Sequence, residues 1–422
     1  MNCSYLKNNI PTYLLPSSGT DAVTVLVLVK VGSRYEEEAI NGASHFIEHM
    51  MFKGTKKRPN AQMISRALDA VGADYNAYTG KDLTGYWVKV DKRHVNLAVD
   101  LLHDMIANST FKSAELNRER QVIMEEINMY HDNPMMHVDE MFESLMLDGS
   151  TLGWEIAGDH KRMKEMTRKD VLAFRDAYYT PERMTIAMAG AVPKDAKQQL
   201  EATFGTLKSG KGSAKEFVPF GGPRARRGIR AVIQHKDTQQ VQLAMGFPSV
   251  GYADKDLPAV KLLSVILGGP MSSRLFTSIR ERRGLCYFIR ASLSTYEDTG
   301  LFVVQSGLDK SRLGLAGKTV MQELRKMVKE KVSAEELRRA KDYLSGKITL
   351  NLEDSSNRAE WYAKQQLFSG SALTPEERLR QYASVTPTQI QRVASKIFDP
   401  KQMGVAGIGP FKSPKDIWKH LV

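Results

Sequence analysis

Cysteine is almost absent: the 422 residues include two, Cys3 and Cys286. That excludes a secreted disulfide framework and points to a reducing compartment, so a cytoplasmic location is expected. Membrane-length apolar runs are missing too. The run Val23–Val31 is far too short to cross a bilayer, and its β-branched residues predict a buried strand. The opening MNCSYLKNNIPTYLL lacks a basic segment followed by a long apolar core, and it lacks an arginine-rich amphipathic pattern. Neither a signal peptide nor a mitochondrial transit peptide is expected. No block of five like charges occurs, and the net charge of +12 is spread over 60 basic and 48 acidic residues. No nucleic-acid arm and no membrane partner are expected.

What is present is length and repetition. A chain of 422 residues is too long for one ordinary core. TRKDVLAFRDAYYTPERM (167–184) returns as TPTQIQRVASKIFDPKQM (386–403), aligning Thr167 with Thr386, Val171 with Ile390, Pro181 with Pro400 and Met184 with Met403. Each copy reads as an amphipathic helix, a proline stop, then a strand. DLTGYWVKV (82–90) resembles EDTGLFVVQ (297–305), and the helix 113–127 resembles 333–348. The chain therefore reads as two copies of one unit. The expected boundaries are 1–209, a Gly-, Pro- and Arg-rich linker over 210–228, and 229–422. Alternating runs such as Thr84–Val90 predict sheets with one covered face. The expected fold is α+β: two homologous domains, each a mainly antiparallel sheet with helices on one side, joined by the linker as a clam-shell.

Only the first half carries a metal-type motif. Residues 45–49 read His-Phe-Ile-Glu-His. On a helix, His45 and His49 share a face and can present ring nitrogens to one ion, while Glu48 borders that face and stands beside the metal. Two imidazoles need a third protein ligand to make an open catalytic zinc site. The helix around 113–130 offers Glu115, Glu119, Glu125 and Glu126, and spacing alone does not choose among them. The apolar flanks Ile40, Ala43, Phe46, Ile47, Met50, Met51 and Phe52 argue against a solvated charge run. Polar groups on so apolar a face need a partner, and a metal supplies one.

His45-Phe-Ile-Glu48-His49, in the context GASHFIEHMMFKGTKKRP, is the inverted zinc motif H-x-x-E-H. The chain resembles the pitrilysin/insulinase superfamily, and most of all the branch of mitochondrial processing peptidase and its short bacterial relatives. The resemblance also runs through 72–90, the helix ending at Glu126, YTPERMTIAMAG and GGPMSSRLFTSIRERRGLCY. It implies Glu126 as the third ligand and Glu119 as the supporting acid near the zinc. It implies that Arg280 and Tyr287 contact bound peptide near the scissile bond, and that Asn76 and Ala77 pair with substrate backbone by strand addition.

The implied activity is hydrolysis of peptide bonds in short or unfolded polypeptides by a zinc-activated water, with Glu48 as general base. The glycine-rich loop of the processing peptidase's noncatalytic subunit is absent. The second half does not repeat the zinc residues: Glu119 falls on Ala340 and Glu126 on Lys347, so one zinc per chain is expected. Because one chain holds both residue sets, a homodimer is expected. The rival readings are a noncatalytic structural subunit and an obligate heterodimer partner.

Overall fold

A computed structural model describes residues 3–210, 214–223 and 230–421. Of the expected linker 210–228, residues 211–213 and 224–228 lie outside the described residues.

The strands are β1 (Ser4–Tyr5), β2 (Pro11–Pro16), β3 (Ala22–Val29), β4 (Asp74–Thr79), β5 (Thr84–Asp91), β6 (Met184–Gly190), β7 (Ala231–His235), β8 (Gln240–Ser249), β9 (Cys286–Thr295), β10 (Gly300–Asp309) and β11 (Gly404–Gly409). They form a six-stranded sheet ordered β1-β2-β6-β3-β5-β4 and a five-stranded sheet ordered β7-β11-β8-β10-β9. Without β1, the two orders superimpose strand for strand. Each sheet is mixed, with one parallel pair (β2 with β6, β7 with β11) and antiparallel pairs elsewhere. The repeated sequences occupy equivalent elements. The helices Arg168–Tyr178 and Pro387–Ile397 both begin with a threonine capping box, and β6 and β11 follow them.

The chain forms two compact units. The first contains residues up to Ile127, Trp154–Phe217 and Ile348–Pro375. The second contains Asn128–Gly153, Val218–Lys347 and everything from Glu376. Each unit thus includes one segment from the other half of the sequence.

The expectation of helices on one side of each sheet is corrected by these segments. In the first unit, Val23, Val25, Val27 and Val29 of β3 pack into a core with Phe46, Ile47 and Met50 of the helix Ala43–Met51 and with Ile123 and Ile127 of the helix Ser113–Asp132. The opposite face of β3, Leu26 and Leu28, packs with Tyr13, Leu15 and Ala187 under Ala359, Tyr362 and Ala363 of the helix Ser355–Ser369. Thr24 and Ser355 hydroxyls meet at 2.7 Å, and Tyr13 donates to Gln366 at 2.8 Å. A strand buried on both faces needs a continuous apolar run, and AVTVLVLV is one. In the second unit, Val138, Phe142 and Met146 of the helix Pro134–Met146 cover Ala244, Leu301, Val303 and Ala406 in the same way. Among the described residues, no helix is long and apolar enough to cross a membrane.

Candidate metal centre

The helix Ala43–Met51 starts at Gly42, whose φ of 99° is left-handed. A Cβ there would sit 2.6 Å from the Ala157 carbonyl oxygen, so glycine is required on both counts. The helix has no capping side chain at the usual position. Instead, the buried Glu36 carboxylate accepts from Gly42 N and Ser44 N, both at 2.7 Å, and from Asn41 Nδ2 at 2.9 Å. An acid at a helix N-terminus satisfies donors that the helix itself leaves unpaired. Burial pushes the Glu36 carboxyl up to about 7, against the pull of these donors.

Phe46, Ile47, Met50 and Met51 take the buried face, which leaves His45, Glu48 and His49 on the flank towards the helix Ser113–Asp132. There Glu126 Oε2 lies 3.6 Å from His45 Nε2 and 3.4 Å from His49 Nε2. The other carboxylates of that helix are engaged differently. Glu115 pairs with Arg118 at 2.7 Å, Glu125 is exposed, and Glu119 is buried with Oε2 3.2 Å from His49 Nδ1 and Oε1 2.8 Å from Lys53 Nζ.

Three donor atoms, one each from His45, His49 and Glu126, lie within 4.8 Å of one another. Ligands about 2.1 Å from a tetrahedral zinc sit roughly 3.4 Å apart, close to the two separations measured here. Two imidazoles with one carboxylate form a borderline N/O set that suits zinc. His45 supplies a further test. Its Nδ1 is buried without a hydrogen-bond partner, and its Nε2 is too far from Glu126 for a good hydrogen bond. A buried imidazole left this way is costly unless a cation meets it. The residues fit a zinc ion.

The electrostatics of the two imidazoles differ. Burial, then the neighbouring His49, depress His45 to about 4, so it is the neutral imidazole that a metal ligand must be. Burial alone would also depress His49, but the bonds to Glu119 and Glu126 outweigh it and raise His49 to about 9. The carboxylates thus favour positive charge at that ring, whether a proton or a metal ion supplies it. Burial raises Glu48, with Glu126 adding to it, while the Thr79 hydroxyl, donating at 2.5 Å, and His49 pull it down.

Thr79 ends β4, an edge strand of the first sheet. Asn76 and Ala77 lie on the same strand, opposite Trp87 and Tyr86. Asn76 is exposed, Ala77 is buried, and Asn76 Oδ1 accepts from Ala77 N at 2.9 Å. The first unit therefore gathers His45, Glu48, His49, Glu119 and Glu126, with Asn76 and Ala77 on the adjoining strand. Arg280 and Tyr287 belong to the second unit. Arg280 sits on a π-helical turn, Phe276–Glu281, with its guanidinium 4.8 Å from the Phe276 ring centre and 5.4 Å from that of Tyr287, which is 74% exposed. Such turns recur at functional sites.

The sequence does not mark the contact of Thr79 with Glu48, nor the parts that Lys53 and Glu36 play here. Thr79 follows the asparagine-alanine pair on one strand, a weak signal. Lys53 lies beyond the end of the helix Ala43–Met51, so helical spacing does not point to it. Glu36 stands six residues before Gly42, outside any capping-box spacing.

Two family models match the chain. Insulinase (Peptidase family M16) covers residues 12–160, and Peptidase M16 inactive domain covers residues 165–344. A Rickettsia felis protein called an uncharacterized zinc protease is 36% identical over 401 residues, spanning 94% of this chain and 95% of that protein. The Bacillus subtilis uncharacterized zinc protease YmxG is 30% identical over 393 residues, spanning 93% and 94%. Among solved structures, a protease from Helicobacter pylori matches at a TM-score of 0.90 with 24% identity, covering 97% of this chain and 99% of that one. A chain of Complex III2 from Candida albicans matches at 0.86 with 15% identity, covering 100% and 99%. These structural likenesses carry the fold alone.

Proposed function

The chain belongs to the insulinase (M16) family of peptidases, and from that premise we infer that it is a zinc metalloendopeptidase cutting short or unfolded polypeptides. The observation that carries this reading is Glu126 Oε2 standing 3.4 and 3.6 Å from the ring nitrogens of His49 and His45, with Glu48 beside them. His45, His49 and Glu126 would hold one catalytic zinc per chain. Zinc, when bound, supplies Lewis acidity that lowers the pKa of water and polarises a carbonyl.

The remaining work falls to side chains. Glu48, placed by Thr79, takes a proton from the attacking water and passes it to the leaving amine. Glu119 fixes the ring of His49 through Nδ1 and leaves Nε2 for the metal. Tyr287 and Arg280 donate hydrogen bonds to the oxygen of the scissile carbonyl. Asn76 and Ala77 pair with an extended substrate backbone, which demands an unfolded chain and little particular sequence. Because Ala77 N is bonded to the Asn76 side chain, an incoming strand that uses this N–H displaces that side chain.

Both residue sets lie in one chain, which supports a homodimer over a division of labour between unlike chains. The two free cysteines support a cytoplasmic location. A noncatalytic role is disfavoured because His45, Glu48, His49 and Glu126 are all present. The test is to incubate the purified chain with a mixture of unstructured peptides, with and without a chelator, and to read the cuts by mass spectrometry. Cleavage that the chelator abolishes supports the reading, and uncut peptides in the zinc-loaded sample refute it.

A further inference from the structure

A second group of metal-type donors lies outside the site described above. His131 is in the last turn of the helix Ser113–Asp132, and His137 and Glu140 are in the first turns of the helix Pro134–Met146. The second unit contains all three. We propose that His131, His137 and Glu140 form a second, non-catalytic binding site for a divalent transition metal of the zinc type.

The geometry begins with the connection between the helices. His131 and His137 are separated by a short turn that hydrogen bonds hold. Asn133 N donates to the Tyr130 carbonyl at 3.2 Å, the Asn133 side chain caps the second helix by accepting from Met135 N at 3.1 Å, and His137 N donates to the Asn133 carbonyl at 2.9 Å. A capped, bonded turn fixes the end of one helix against the start of the next. His137 and Glu140 are three residues apart on one helix, so they share a face. The result is a compact group. His137 Nδ1 is 3.2 Å from Glu140 Oε2, the two imidazole rings are 4.5 Å apart between centres, and one donor atom from each of the three residues lies within 4.8 Å of the others.

The 3.2 Å separation is close to the roughly 3.4 Å expected between two ligands of one tetrahedral zinc. Two imidazole nitrogens and a carboxylate oxygen select zinc, cobalt, nickel or copper(II) over calcium or magnesium, which prefer oxygen shells. All three residues are half-buried, so the donors are partly desolvated while water can still complete the shell. The site is distinct from the first. Five positions along the helix separate Glu126 from His131, which is not a same-face spacing, so the two do not serve one ion. A bound ion would fasten the two helices across their turn, beyond the one catalytic zinc already assigned.

Zinc uptake by the full chain tests this. The purified protein is stripped of metal, dialysed to equilibrium against micromolar free zinc and analysed for zinc per chain. Wild type is expected to take up one equivalent more than either H137Q or E140Q. Glu140→Gln keeps the side-chain length and an acceptor oxygen, and zinc retained at the first site reports that each variant is folded. Uptake that is the same in wild type and both variants, whatever its value, overturns the proposal. A drop of one equivalent in both supports it. That comparison does not depend on whether the first site performs peptide hydrolysis.

Discussion

The Thr79 hydroxyl donates to Glu48 Oε2 at 2.5 Å and so ties the edge strand β4 to the acid beside His49. A hydrogen bond to a charged group is worth roughly 1.5–3 kcal/mol. Thr79→Val should therefore lower turnover on the order of ten- to a hundred-fold and leave zinc content unchanged, and Thr79→Ser should recover most of the loss. Steady-state kinetics beside metal analysis decides it. If zinc is lost together with activity, Thr79 supports the fold of the site and not the base.

Glu119 meets His49 Nδ1 at 3.2 Å and Lys53 Nζ at 2.8 Å. Carboxylates behind a metal-ligating histidine contribute roughly 10–100-fold to affinity. Glu119→Gln should raise the zinc dissociation constant by about that factor, read by competition with a chromophoric chelator. An unchanged constant means that Glu119 does not orient the ring.

Glu36 gives a pH signature. Burial lifts its carboxyl from 4.5 to about 7 in the folded chain. The folded state therefore holds the proton more tightly than the unfolded state. The stability linked to this proton is fully present below about pH 4.5 and is lost as pH rises through about 7. Thermal melts of the metal-stripped chain should show this decline between those values, and Glu36→Gln should flatten it. The same variant should be less stable than wild type at the low-pH end, by roughly 1–3 kcal/mol, because both Glu36 oxygens accept from donors and an amide turns its NH2 towards one of them. An equal slope in both proteins removes Glu36 as its source.

Tyr287 is exposed next to Arg280 in the second unit. If its hydroxyl assists at the scissile carbonyl, Tyr287→Phe should lower kcat by roughly 10²–10³ with zinc content intact. Equal kcat/KM for wild type and variant on unstructured peptides would remove it from the reaction.

Much of this architecture is legible in the sequence. The echoes at 82–90 and 297–305 fall on β5 and β10, which hold equivalent places in their sheets. The His45–His49 spacing marks a helical face directly. The placement of the helices Pro134–Met146 and Ser355–Ser369 is not legible in the same way. An amphipathic pattern says that a helix has a buried face, but not which sheet will cover it. The hint was in β3, whose run AVTVLVLV does not alternate and so requires cover on both faces. Glu119 and Glu126 lie on one helix seven residues apart, and spacing alone does not separate their places. Their distances do: one meets Nδ1 of His49, the other Nε2. Contacts made by tertiary structure, such as Thr79 to Glu48, leave no periodic trace.

The most direct measurement compares Glu48→Gln with Glu126→Gln for bound zinc and for peptide turnover. Glu126 is assigned to the metal and Glu48 to the proton. Glu48→Gln should keep the zinc content of wild type and lose turnover by roughly 10²–10⁴. Glu126→Gln should hold about one zinc equivalent fewer and lose turnover with it. The contrary result is a Glu48→Gln protein that has lost that equivalent beside a Glu126→Gln protein that keeps both zinc and activity.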